Sequence, residues 1–153
     1  MNFADALDTK ISDIEPPVML PQGTYTWTVF KTPKVEQLKS AKGEWDVVNF
    51  PIRAVSAEND VDADELAEFG DLKAAINRIS FMFSTDPDDE NNRKETMDRM
   101  VKFMSDTLGV ESNDDTTVKE QLANSVNHQF MALATWRPDG DRTFIDVKNY
   151  SAV

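Results

Sequence analysis

The chain has 153 residues, 40% of them hydrophobic and 9% aromatic, with a formal net charge of -12, a composition that suits one compact domain. It contains no run of about twenty apolar residues, which speaks against a membrane-spanning helix, and it lacks cysteine, which excludes disulfides and zinc–thiolate chemistry. So much negative charge argues against long-range attraction to nucleic acid or to an anionic membrane, but the charge is segregated. Glu58, Asp60, Asp62, Asp64, Glu65, Glu68 and Asp71 crowd one segment and Asp86, Asp88, Asp89 and Glu90 another, whereas residues 31–42 carry Lys31, Lys34, Lys39 and Lys42 against Glu36 alone.

The opening MNFADALDTKIS has no basic region followed by an apolar one, so it does not read as a signal peptide, and a cytoplasmic protein is the simplest expectation. Residues 1–19 hold a short amphipathic piece (Phe3, Ala6, Leu7, Ile11, Ile14) and then Pro16-Pro17, which predicts an arm or short helix packed outside a single domain spanning residues 20–153. After the breaker cluster Leu20-Pro21-Gln22-Gly23, Thr24 to Phe30 alternates with period two and predicts a strand. Burying Tyr25, Trp27 and Val29 and wetting Thr24, Thr26 and Thr28 is the lower-energy choice, since buried hydroxyls need partners. Thr32-Pro33, Ser40 and Gly43 then mark a loop that carries the lysines.

A second strand is predicted from Trp45 to about Val55, with Val48, Phe50, Ile52 and Ala54 on one face and Trp45, Val47, Asn49 and Arg53 on the other. Pro51 suggests an edge or a bulge. The acidic stretch has Leu66, Phe69, Leu72 and Ile76 at helical spacing and predicts a helical insertion, followed by a short strand at Ile79–Ser84. Arg93 to Leu108 is the clearest helix: Met97, Met100, Val101, Met104 and Leu108 form one stripe, and Gly109 is the expected C-terminal cap. Thr117 and Glu120 fit a capping box for a second helix with Val118 and Leu122 inward. Strands at Phe130–Trp136 and Thr143–Tyr150, joined by Pro138-Asp139-Gly140-Asp141, complete the chain. The expected fold is therefore mainly β with helices: a five-stranded OB-fold-like barrel, with a helix pair between strands three and four and the acidic insertion between strands two and three.

Catalytic material is scarce. One histidine, His128, flanked by Asn127 and Gln129, provides neither a histidine metal cage nor a triad, and no glycine-rich phosphate loop is present. Asp60, Asp62 and Asp64 have the alternate spacing that opens a calcium loop, but Glu65 stands where glycine is needed and Asp71 where a bidentate glutamate belongs. Acidic residues favouring a helix start are the better explanation. Neither an enzyme nor a cofactor is expected, and a carboxylate-metal nuclease is the weakest of the alternatives.

The binding signal is the lysine loop with its aromatic neighbours, because single strands are held by cations tracking phosphates and by rings stacking on bases. Lys31, Lys34, Lys39, Lys42 and Arg53 are candidate phosphate contacts, with Trp45 as a stacking ring. Lys148 and Tyr150, two apart, are expected on one face of the last strand, and Arg137 and Arg142 flank the last turn. Together they would form one basic strip.

GTYTWTVF, the loop KTPKVEQLKSAKGEW, then VVNFPIRAV, a methionine-rich helix ending in LGV and a paired-strand finish together resemble a family of small phage proteins. Leu20, Pro21, Gly23 and Tyr25 match the segment leading into that family's first strand, and Lys39 with Gly43 matches its Lys-x-x-x-Gly loop; the likeness covers most of residues 20–150. The resemblance implies an OB-fold that binds single-stranded DNA without strong sequence preference, in the host cytoplasm, alongside phage replication and recombination proteins. Two departures stand out: the chain ends NYSAV rather than in an acidic tail, and the acidic insertion at 58–71 is not a family feature. That insertion is expected either to recruit replication or recombination partners or to shield the groove. No membrane partner is expected, and homo-oligomerisation is left open. The competing reading, favoured by total charge, is an acidic interaction protein, either a virion component or a DNA-mimicking host-directed factor.

Overall fold

In a computed structural model, which describes residues 2–14 and 17–153, the polypeptide forms a mixed α+β domain around one antiparallel sheet that does not close. Its strands are β1 (Gly23–Val29), β2 (Lys34–Ser40), β3 (Gly43–Ala57), β4 (Ile76–Ser84), β5 (Gln129–Asp139) and β6 (Arg142–Ala152). They run in the order β2-β3-β1-β5-β6, with β4 also on β3. Helix α1 (Phe3–Leu7) precedes the sheet, α2 (Ala63–Phe69) lies in the acidic insertion, and α3 (Glu90–Lys102) and α4 (Val118–Asn124) lie between β4 and β5. No helix among the described residues is long and apolar enough to cross a membrane.

The core is where the alternation places it. Tyr25, Trp27 and Val29 are fully buried against Phe50, Ile52, Phe130 and Met104. Tyr25 keeps its hydroxyl satisfied by donating to the Pro21 carbonyl at 2.7 Å, and the Trp27 indole donates to Ala132 O at 3.3 Å. Burial and the charges of Asp60 and Glu65 push the Tyr25 hydroxyl up to about 12. Thr26, expected to be wet, is buried. β1 is a central strand between β3 and β5, so its outward face is partly covered by their side chains.

The lysine segment is not a loop. Residues 34–40 form β2, paired residue for residue with Gly43–Asn49 through a two-residue turn at Ala41-Lys42, which gives six strands rather than five. Alternation was masked there because all seven β2 residues are exposed, so neither side chain pattern nor burial marks a face. β3 meets β4 along one edge, whereas its other edge pairs first with β2 and then with β1. Pro51 sits where that second edge changes partner, and its carbonyl accepts from Phe30 N at 3.2 Å. N–H and C=O of a strand residue point the same way, so the missing donor falls in the gap between two neighbours, neither at a free edge nor at a bulge.

The acidic insertion is helical as its spacing predicts, and it is clamped to the sheet. Asp60 accepts from the Thr24 amide (2.9 Å) and hydroxyl (2.8 Å), and these donors hold its carboxyl below the usual range. Asp62 caps α2 by accepting from Asp64 N and Glu65 N. Leu66, Phe69 and Leu72 pack on the core, but Ile76 opens β4 and is exposed. Gly23, at φ +142°, has no room for a side chain: a Cβ would come within 2.5 Å of Val61 Cγ2.

After α3 the helix widens into a π turn at Phe103–Thr107, which brings Phe103 as well as Met104 inward. Phe103 touches Phe50, Phe81, Phe130 and Tyr150 with centroids 5.4–5.7 Å apart. A straight 3.6-residue stripe passes over this residue. Gly109 closes the helix with φ +71°, and Val110 N donates back to Met104 O. Thr117 caps α4 through Glu120 N, and the half-buried His128 places Nδ1 2.9 Å from Leu108 O.

The N-terminal arm departs from its expectation. Phe3, Leu7, Ile11 and Ile14 are all exposed rather than packed on the body. Pro16 of the Pro16-Pro17 breaker lies outside the described residues.

Candidate nucleic-acid interface

The outward face of β2, β3 and β4 is built by strand alternation and can be laid out in rows from the pairing. Thr28, Arg53 and Ile76 form one row; Pro51 and Arg78 form the next; then come Lys34, Asn49 and Ser80; then Glu36, Val47 and Met82; and finally Leu38, Trp45 and Ser84. Basic side chains therefore occupy one end and an apolar shelf ending in Trp45 the other. Across these rows the ionic side chains are three cations, Lys34, Arg53 and Arg78, and one carboxylate, Glu36. None of the three cations is in an ion pair among the described residues.

Phe30, just beyond β1, anchors the basic end. The Arg53 guanidinium carbon lies 4.4 Å from its ring centroid and the Lys31 amine 5.5 Å, both within cation–π range. The buried Nε of Arg53 has no hydrogen-bond partner among the described residues. A guanidinium held over a ring is pre-organised and gives up little rotamer freedom on meeting an anion.

The residues singled out in the sequence divide into two groups. Lys31, Lys34, Trp45 and Arg53 share this face or its margin, and half-buried Trp45 lies between Leu38 and Ser84. Lys42 sits in the hairpin turn and lines the pocket beside Trp45 together with Glu44, Asp86 and Asp89. Lys39, in contrast, points to the opposite face of β2, with its amine 3.9 Å from Glu44.

Arg137, Arg142 and Tyr150 do not join the strip, and Lys148 lies across Leu133 from Thr24, four residues along β1 from the Thr28–Arg53 row. The β5–β6 turn lies beyond the Gly23 end of β1 and the β2–β3 turn beyond its Val29 end, so the hairpins point in opposite directions along the strands. Arg137 is engaged by Asp146 (Nε to Oδ2, 2.9 Å) and stacks over Phe144 at 5.1 Å. Tyr150 does not share a face with Lys148 as the spacing of two implied. A bulge between Leu133 and Met131 inserts Asn149, at φ +58°, and turns Tyr150 onto Phe103 and Phe130. Burial raises its hydroxyl pKa.

Sequence reasoning missed Phe30, Arg78, Leu38 and Met82. Arg78 was within reach: Ile76, Arg78, Ser80 and Met82 alternate outward, but the strand was expected to begin at Ile79. Asp60 and Asp62, candidate metal ligands by spacing, instead hold main-chain donors. Compared with protein-family models and with curated proteins, the chain matches none.

Proposed function

We propose that the protein coats single-stranded DNA, using the outward face of β2, β3 and β4, and that its sheet is a half-open OB-type barrel with β2 as an elaboration of the first connection. The observation that carries this reading is the charge of that face: three cations, unpaired among the described residues, against one carboxylate, beside a stacking shelf, on a chain of net charge -12. In favour of the barrel stand the pairings of β1 with both β3 and β5, the helices between β4 and β5, and Asn77 Nδ2 donating to Ile145 O at 2.9 Å across the gap between β4 and β6.

In this reading Lys31, Lys34, Arg53 and Arg78 contact phosphates and Trp45 stacks on a base. Binding without strong sequence preference follows, because every base has a π-face. The likeness to phage single-strand binders supports a place with replication and recombination proteins in the host cytoplasm. Exposed Asp64, Glu65 and Glu68 of the insertion are the natural docking charges for such a partner. Charge removal at these three is the proper test of that role, since deleting 58–71 also removes Val61, Leu66 and Phe69 from the core.

The experiment is a titration of tryptophan fluorescence with a short oligothymidine at low and moderate salt. Binding that weakens with salt, at a log-log slope of about -0.7 per phosphate neutralised, supports the reading. Undetectable or salt-insensitive binding overturns it and leaves the acidic interaction protein as the better account.

A further inference from the structure

Phosphate contact leaves one residue of the face without a purpose. Glu36 is a carboxylate one row from Lys34 on the same face and shares a pocket with Arg78, where it repels a polyanion. It is not a loose surface acid. Asn49, only 8% exposed, donates from Nδ2 to Glu36 Oε2 at 3.1 Å, and the Ser80 hydroxyl donates to Asn49 Oδ1. One residue from each of β2, β3 and β4 thus makes a chain of hydrogen bonds that fixes the carboxylate. Val47, Leu38 and Met82 lie next to it, Arg78 closes the opposite side, and a shallow pocket of about 190 Å³ opens between them.

We infer that this pocket reads a guanine base, its ring on Val47 and Met82 and its Watson–Crick edge donating N1–H and N2–H to Glu36; the inference rests on the single-strand reading above. An ionised carboxylate only accepts hydrogen bonds. Guanine is the one standard base that offers two adjacent donors on that edge. Cytosine and adenine present one donor beside an acceptor, and the single thymine donor lies between two carbonyls that repel Glu36. Asn49 holds one carboxylate oxygen and Ser80 holds Asn49, so the acceptor pair is set before the base arrives. Phosphate contacts then supply most of the affinity and this pocket a modest preference.

The test compares a short oligothymidine with the same strand carrying one central deoxyguanosine or one deoxyinosine, which lacks the N2 amine. The guanosine strand should bind about tenfold more tightly than oligothymidine, with the inosine strand between them. Glu36→Gln should erase the difference and, having lost a charge that repels phosphate, bind oligothymidine at least as tightly as the wild type; its unchanged thermal melting would show that the exposed substitution leaves the fold intact. Equal binding of the three strands, or a guanosine preference that survives in Glu36→Gln, overturns the pocket while the single-strand reading stands. Binding of none of them overturns both.

Discussion

The two long hairpins make an instructive pair. β2–β3 and β5–β6 each close through a two-residue turn; the first carries Lys34, Lys39, Lys42 and Arg53 and the second Arg137, Arg142 and Lys148, and one cation in each is held by a neighbouring carboxylate, yet the faces they build differ. In β2–β3, Lys34 and Arg53 face outward with no acid directly across the ladder, and among the described residues only Lys39 is paired, on the other face. In β5–β6, Asp146 and Phe144 capture Arg137, and a one-residue bulge turns Tyr150 onto Phe103 and Phe130. Cross-strand neighbours, more than the residues themselves, decide whether a charge is available to a ligand.

The comparison breaks most visibly at Phe103, which ties the end of β5–β6 to the core. Phe103→Ala should cost about 3–5 kcal/mol of stability, read by urea denaturation. Under native conditions the folded fraction should still bind oligothymidine with unchanged affinity. Next in size, Trp45→Ala should weaken oligothymidine binding by about 1–3 kcal/mol with little change in melting. Trp136→Ala should do the reverse, because the Trp136 indole donates to Leu20 O at 2.7 Å and holds the approach to β1.

A smaller effect sharpens the contrast at the bulge. Asn149→Ala should lose about 1 kcal/mol in chemical denaturation, because the left-handed backbone tolerates Asn and Gly better than Ala, and Asn149→Gly should not lose it. Smaller still, Arg137→Ala should cost less than about 1 kcal/mol and leave binding unaltered. Asp60, which holds main chain rather than a cation, adds a pH dependence. Its folded pKa is lowered, so its stabilisation is full at neutral pH and fades as the pH falls through that depressed value. Asp60→Asn should flatten the acid limb of the stability profile.

Much of this was legible in the sequence. Tyr25, Trp27, Val29, Val48, Phe50 and Ile52 announced the core because successive side chains of a strand alternate between its two faces and the large apolar ones share one of them. The Gly109 cap and the Gly140-Asp141 turn were readable because their backbone geometry selects few residues. What stayed hidden depended on partners distant in sequence. β2 is exposed on both sides and acquires strand character only from its pairing with β3. The inward swing of Phe103 needs a π turn, which no side-chain pattern announces. The Tyr150 face is set by a bulge whose only local mark is Asn149. The candidate site was half visible: Trp45 and Arg53 were found from alternation and Lys34 as one of a run of lysines read as a loop, whereas Arg78 and the Glu36–Asn49–Ser80 chain required knowing that β4 lies beside β3.

The central claim is that one outward face gathers enough uncompensated positive charge to hold a single strand on an acidic protein. The most direct measurement is the salt dependence of oligothymidine binding by the wild type, by a Lys34→Gln, Arg53→Gln, Arg78→Gln triple variant, and by an Arg137→Gln, Arg142→Gln, Lys148→Gln control. Losing three phosphate contacts should make the log-log slope shallower by about 2 in the first variant and leave it unchanged in the control. Equal slopes in all three proteins, or a larger change in the control, would contradict the account.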